Sequence, residues 1–245
     1  MNSFYIGGVG EIGASMELLP EDARHAFQVL RMRTGEEIFA VDTLGNRFSA
    51  VIAAISKDGC AVELMEALAD NEADVKITLY MGIPKADKLD FIAQKITELG
   101  ASRLIPVKME RCVTKLDEKD GKKRQERLEK IAREAAKQCK RARTPEILPP
   151  MTWKQAAERM RAHDLLLVPW EDAQGFGLLA AKETVSDAKD IGIVIGPEGG
   201  MSAVEVNALT ELGARTVTLG PRILRAETAA VAACAMAMLL WGDIG

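Results

Sequence analysis

Metal chemistry has little to draw on in this chain. Its four cysteines (Cys60, Cys112, Cys139, Cys234) are far apart, no C-x-x-C pair occurs, and its two histidines, His25 and His163, are paired neither with each other nor with a cysteine. This spacing argues against a zinc site and against a disulfide scaffold, and no metal is expected. The longest apolar run, 229–241, falls short of the ~20 residues a membrane span requires. The N-terminus lacks a basic stretch followed by an apolar core, so no secretory signal is expected and the chain reads as cytoplasmic. Overall positive charge is also missing. The net charge is −4, which gives no global nucleic-acid signature but leaves room for local patches.

What is present suits an ordinary globular core: 48% hydrophobic and 28% charged residues in 245, enough for one large domain or a medium and a small one. Residues 1–70 read as a small, mostly β unit. The strand at 36–41 leads into the turn signal "DTLGN", the strand "RFSAVIAAI", a second turn "SKDG" and the strand "CAVELME". One helix is expected at about 20–30, with Ala23, Phe27 and Leu30 on one face. The acidic stretch "EALADNEADV" marks the boundary. From residue 74 to 245, strands ("KITLYMG", "RLIPV", "LLLVP", "IGIVIG", "TVTLG") alternate with helices at 87–99, about 122–141, 202–212 and 226–241. That alternation predicts an α/β domain with a parallel sheet covered on both faces, whose ligands bind beyond the carboxyl ends of the strands.

Three loops sit at such ends: Pro-Trp-Glu after 165–168, "GPEGG" after 191–195 and "GPR" after 216–219. In "IGPEGGMSAVE", Gly196, Gly199 and Gly200 let backbone approach a ligand, and Ser202 with Glu205 forms a capping box for the next helix. The loop lacks the Lys-Ser/Thr of a triphosphate-binding P-loop. In "LGPRILRAETA", Gly220-Pro221 ends a strand, Arg222 and Arg225 present cations, and Glu227 opens an apolar helix, where it also complements the helix dipole. A literal G-x-G-x-x-G at 8–13 reads instead as a turn, because Pro20 arrives too soon for the helix that a dinucleotide site needs.

Between Lys119 and Arg143 there are eleven Lys/Arg against four Asp/Glu. Leu128, Ile131, Ala132, Ala135 and Cys139 repeat with helical spacing and are expected to face the core; Lys123, Arg127, Lys130, Lys137 and Arg141 fall mostly on other faces, beside Gln138. Such a patch is either a solvated face or a phosphate-contacting surface, and its concentration in one element favours contact. Few aromatics accompany it, so stacking on single-stranded bases is not its obvious mode. Lys88 and Lys95 form a second cluster, with Glu98 a candidate ion-pair partner, and "RHAFQVLRMR" carries Arg24, His25, Arg31 and Arg33 on the small unit.

Taken together, "IGPEGGMSAVEV" and "LGPRILRAETAA" resemble the RsmE family of the SPOUT class, which are 16S ribosomal RNA uracil-N3 methyltransferases using S-adenosylmethionine. The resemblance runs the length of the chain, through "HAFQVLRMRTGE", "KADKLDFIAQKITELGASRLIPVKMERCV" (with Arg111) and "RLEKIAREAAKQCKRARTPEI". Two positions depart from the family pattern: "NSFYI" replaces the usual Arg-Phe near the start, and Leu128 stands in place of a Trp. The resemblance implies a PUA-like β-barrel over 1–70 that binds RNA. It also implies a SPOUT methyltransferase domain over 74–245 with a C-terminal trefoil knot, acting as a homodimer on 16S ribosomal RNA within the small subunit. Helix 226–241 is then either a dimer surface or part of its own core.

Uracil N3 carries a proton and becomes nucleophilic once that proton leaves, so the site needs a base or a fixed cation for the resulting anion. Arg225 and Arg222 are candidates for the anion or a flanking phosphate, and Glu198 and Glu227 for the base. The cofactor pocket is expected at Pro169, Gly196, Gly200, Leu219, Gly220, Ile223 and Leu224, with Ile223 and Leu224 walling the adenine. The RNA-contact candidates are Arg24, His25, Arg31, Lys88, Lys95, Arg111, Lys137, Gln138, Arg141 and Arg222. Methylation of another RNA position, or RNA binding without turnover by a ribosome-assembly factor, are the alternative readings.

Overall fold

A computed structural model describes residues 1–114 and 118–245. The chain divides into two compact units: Met1–Glu72 with Ala136–Arg143, and Ala73–Ala135 with Thr144–Gly245.

The first unit contains strands β1 (Ser3–Tyr5), β2 (Ser15–Glu17), β3 (Glu37–Val41), β4 (Arg47–Ile55) and β5 (Cys60–Leu68), and helix α1 (Pro20–Arg24). They form one sheet in the order β1-β3-β4-β5-β2, in which β1 and β3 are parallel and the other pairs antiparallel. The period-2 alternation turns Ile38 and Ala40 of β3, Phe48, Ala50 and Ile52 of β4, and Val62 and Leu64 of β5 into a single core. The "DTLGN" turn is pinned by Asp42. Its buried carboxylate accepts hydrogen bonds from the backbone N–H groups of Leu44 and Asn46 (both 2.8 Å) and Gly10 (3.1 Å), and from Asn46 Nδ2 (2.8 Å). The glycine motif at 8–13 lies between β1 and β2 with no helix after it, as its reading as a turn requires.

The helix expected at about 20–30 takes a different course. After α1 the chain widens into a π-helical turn over His25–Val29. The extra residue per turn rotates the following side chains, so Ala23 and Ala26 are buried while Phe27 and Leu30 are exposed. Phe27 and Leu30 therefore do not share a buried face with Ala23, and Met32 enters the core instead.

The second unit runs β6 (Lys76–Gly82), α2 (Lys88–Glu98), β7 (Arg103–Lys108), α3 (Glu118–Gln138, whose last residues belong to the first unit), β8 (Glu146–Ile147), β9 (Met151–Thr152), α4 (Trp153–Met160), β10 (Leu165–Pro169), α5 (Leu178–Thr184), β11 (Asp190–Ile195), α6 (Ala203–Glu211), β12 (Arg215–Val217) and α7 (Ala226–Trp241). Its sheet is entirely parallel, in the order β12-β10-β11-β6-β7-β8, with β9 also pairing with β7. Alternate residues feed two cores. Ile77, Leu79, Ile191 and Ile193 face α2, α3, α5 and α7; Tyr80, Ile105, Val168 and Val194 face α4 and α6. Each fully buried aliphatic side chain contributes about 1.5–3 kcal/mol relative to exposure. The sequence pattern did not anticipate β1, β2, β8, β9, α4 or α5, all short. In α7, Ala230, Ala233, Cys234, Ala237, Met238 and Trp241 face the unit's own core, while Met236 and Leu239 on the opposite side are exposed.

A polar chain crosses this second core. Tyr80 Oη lies 2.9 Å from His163 Nε2, and His163 Nδ1 lies 2.6 Å from Asp190 Oδ1. Burial pushes the Tyr80 hydroxyl up to about 12. It therefore keeps its proton at neutral pH, and because a carboxylate only accepts, His163 Nδ1–H donates to Asp190.

Candidate active site

β12, β10 and β11 are neighbours in the sheet, so their carboxyl-end loops stand side by side. Those loops line a cavity of about 370 Å³ between Pro169–Glu171, Ile195–Met201 and Ile223–Ala226. A smaller cleft over Thr218–Leu224 shares Pro169, Trp170, Glu171, Ile223, Leu224 and Ala229 with it, so the two are continuous. Pro169, Gly196, Gly200, Leu219, Gly220, Ile223 and Leu224, all expected from the sequence, line this space.

The glycines have distinct physical reasons. A Cβ on Gly196 would stand 2.8 Å from the Gly200 carbonyl carbon and 2.9 Å from the Met201 nitrogen, so the loop folds back onto a position that admits no side chain. Gly200 has φ +69, and a Cβ there would meet the Glu171 carboxylate at 3.0 Å. Next to the cavity, Pro197 rests on Gly82 at the end of β6, where a Cβ would lie 2.5 Å from the proline ring. After the loop, Ser202 caps α6 through Glu205, with Ser202 N–H donating to Glu205 Oε2 at 2.9 Å. Arg111 braces the loop from outside by donating to the Gly199 carbonyl (2.8 Å).

The charged candidates separate into groups. Arg222 and Arg225 are exposed on the wall that follows β12. Glu198 and Glu227 both face Lys88: its Nζ is 3.1 Å from Glu198 Oε1 and 3.2 Å from Glu227 Oε2, and the Lys85 N–H also donates to Glu198 (3.0 Å). Burial alone would raise the Glu198 carboxyl, but hydrogen bonds from its own backbone N–H and that of Lys85, together with Lys88, outweigh burial and hold it low. Glu227 is held low first by its own backbone N–H and then by Lys88 and Arg225, against a raising effect of burial. Lys95 is paired with Glu98 at 2.9 Å. In the first unit, Arg24, Arg31 and Gln138 are exposed and His25 is half-buried, and Arg31 takes a left-handed φ of +52. Lys137 and Arg141 turn inward, Lys137 to the fully buried Asp22 (2.9 Å) and the buried Arg141 to Glu72 (2.6 Å).

Trp170 and Glu171 were named in the sequence only as a strand-end loop, and Met201, Ala226 and Ala229 were not singled out. Ala229 is brought in by one turn of α7, a signal that a motif cannot carry. No group of three or more His, Cys, Asp or Glu side chains suited to a metal occurs among the described residues. Among those residues no helix is long and apolar enough to cross a membrane.

A parallel α/β sheet with glycine-lined loops at one end and a separate small β unit defines a class, and comparison with known proteins agrees. The family model for an RNA methyltransferase domain matches residues 71–238, and that for an RNA methyltransferase PUA domain matches 18–65. A Bacillus subtilis protein called ribosomal RNA small subunit methyltransferase E is 37% identical over 224 residues, covering 89% of this chain and 88% of that protein. The protein of the same name from Mycobacterium tuberculosis is 29% identical over 235 residues, covering 94% and 88%. A crystal structure of ribosomal RNA small subunit methyltransferase E from Neisseria gonorrhoeae bound to S-adenosyl methionine superposes with a TM-score of 0.86 at 31% identity, covering all of both chains. A Legionella pneumophila structure in complex with the bound cofactor SAM gives 0.88 at 30%, covering 99% and 98%. The chain belongs to the ribosomal RNA small subunit methyltransferase E family, an α/β methyltransferase domain preceded by a small PUA-like β unit.

Proposed function

We propose that this protein transfers a methyl group from S-adenosylmethionine to N3 of a uridine in 16S ribosomal RNA. The observation that carries the reading is the continuous, glycine-lined cavity at the carboxyl ends of β10, β11 and β12, which contains all seven residues expected to hold the cofactor. The residues fit that group. Gly196 and Gly200 present backbone where a side chain would intrude, and Ile223, Leu224 and Ala229 supply an apolar wall for a purine. When bound, S-adenosylmethionine supplies an electrophilic methyl on its sulfonium, so no metal is required.

The remaining work falls to the chain itself. The loops orient the reactants and exclude water from them. Arg225 and Arg222, exposed at the mouth, are set to stabilise negative charge on the uracil oxygens or an adjacent phosphate. Glu198 or Glu227 accepts the N3 proton. Within the first unit, residues 1–70 form the PUA-like RNA-binding domain. Arg24, His25, Arg31 and Gln138 contact RNA there, with Lys137 and Arg141 supporting that surface from within; residues 74–245 form the SPOUT domain. Lys88, Lys95 and Arg111 lie on the RNA side of that domain. The family resemblance further supports a trefoil knot threading the cofactor loops, a cytoplasmic location and a homodimer, for which the apolar face of α7 carrying Met236 and Leu239 is available. Calorimetry with S-adenosylmethionine and mass spectrometry of 16S RNA from a deletion strain test the reading. Binding together with loss of 3-methyluridine is expected, whereas persistence of that base would overturn it.

A further inference from the structure

Lys88 is the first residue of α2, yet its side chain reaches two segments more than a hundred residues further along the chain. Glu198 lies on the glycine loop after β11, which lines the cavity, and Glu227 in the first turn of α7, beside the cavity-lining Ala226. The ammonium is 3.1 Å from one and 3.2 Å from the other. No ion pair joins the two segments directly among the described residues. The Glu198 carboxylate has a second anchor in the Lys85 N–H (3.0 Å), from the segment that leads into α2. By contrast, Glu227 Oε2 is buried and meets the ammonium as an ion pair without an aligned hydrogen bond. Two carboxylates converging without a cation would repel, and the loops that carry them would part.

We infer that Lys88 is a positioning residue for cofactor binding: its ammonium ties the glycine loop to the start of α7 and so fixes two walls of the cavity. Both anionic partners belong to the chain, so this role needs no RNA. Each contact is partly exposed and modest by itself, so the value lies in joining two separate walls into one preorganised entrance. The inference rests on the proposed use of this cavity for S-adenosylmethionine.

The test measures S-adenosylmethionine binding by calorimetry without RNA, using the wild-type chain, Lys88→Met, Lys88→Arg, Glu227→Gln and the Lys88→Met/Glu227→Gln double variant. Lys88→Met is expected to raise Kd about fivefold to tenfold and Lys88→Arg to return it to within about twofold of wild type. The double variant is expected to be no weaker than Lys88→Met, since both changes break one tie. In methylation assays, KM for the cofactor should rise more than kcat falls. If Lys88→Met binds the cofactor as wild type does and loses only RNA affinity, the inference is wrong while the proposed function stands. Additive losses in the double variant, or no rescue by arginine, overturn it equally. A wild-type chain that fails to bind S-adenosylmethionine overturns both.

Discussion

Replacing Gly196 with alanine isolates the closest backbone approach in the cavity. The added methyl would stand 2.8 Å from the Gly200 carbonyl carbon, 2.9 Å from the Met201 nitrogen and 3.1 Å from Met201 Cγ. Two of these three are main-chain atoms, so a rotamer change does not relieve the contact. Reaching an ordinary separation of about 3.5 Å requires the loop to move by roughly 0.6–0.7 Å. That loop is closed by the Gly200 N–H, which donates to the Pro197 carbonyl (2.9 Å), and held by the Ser202–Glu205 cap, so the movement is resisted. Overpacking of this kind costs about 1–3 kcal/mol. At about 2–4 °C per kcal/mol for a chain of this size, Tm should fall by roughly 2–12 °C. Because the displaced atoms line the cavity, cofactor affinity should fall as well. Gly7→Ala provides the control: its Cβ meets nothing within 4 Å and its φ is ordinary, so neither quantity should fall. Differential scanning calorimetry and cofactor titration of both variants check this. A Gly196→Ala protein with wild-type Tm and wild-type affinity would refute the account of the loop.

Further outcomes follow from other sites. Tyr80→Phe leaves His163 Nε2 buried without its partner and should cost about 1–3 kcal/mol, read by chemical denaturation, with the Asp190 contact retained. Arg141→Met strands Glu72 in a largely buried position and should destabilise the first unit by about 3–5 kcal/mol, detected by hydrogen exchange in β3–β5; an exchange pattern like wild type would contradict the buried pair. Burial raises the Asp42 carboxyl, but the hydrogen bonds from Asn46, Gly10 and Leu44 overcome this and bring it below its ordinary value of 3.8. Its stabilising contribution is therefore fully present above that value and is lost as pH falls through the lower, folded one. In Asp42→Asn, this acid-dependent loss of the first unit's stability should disappear. Arg222→Ala, at an exposed position, should weaken RNA binding and reduce the slope of log K against log salt by about 1, read by titration over a range of salt.

How much of this was legible depends on sequence distance. Local signals survived into the structure: the Ser202–Glu205 cap, the asparagine–aspartate turn at 42–46 and the strand runs of β6, β10 and β11 each act over a few residues. The helix after Pro20 failed because periodicity assumes 3.6 residues per turn, and a π-turn changes that period without an obvious compositional mark. The basic run ending at Arg143 read as one charged face, but two of its cations turn inward. Lys137 meets Asp22, 115 residues away, and Arg141 meets Glu72, 69 residues away. In the cluster of Lys88 and Lys95, Glu98 three residues on marked a partner within the helix, which Lys95 takes, but nothing in the α2 sequence indicates that Lys88 pairs with Glu198 and Glu227.

The sequence by itself therefore determined the alternation of strands and helices, the end of the sheet where the cavity lies, and the glycines that line it. These follow from hydrophobic period and backbone sterics, which are local. Only the tertiary structure decided which charges pair, that Glu171 and Ala229 share the cavity, and that Lys88 joins Glu198 to Glu227. Those facts depend on strand order, β12-β10-β11-β6, which brings together loops that the chain visits far apart. Charge pairing is set by distance in space, and one-dimensional spacing carries no record of it.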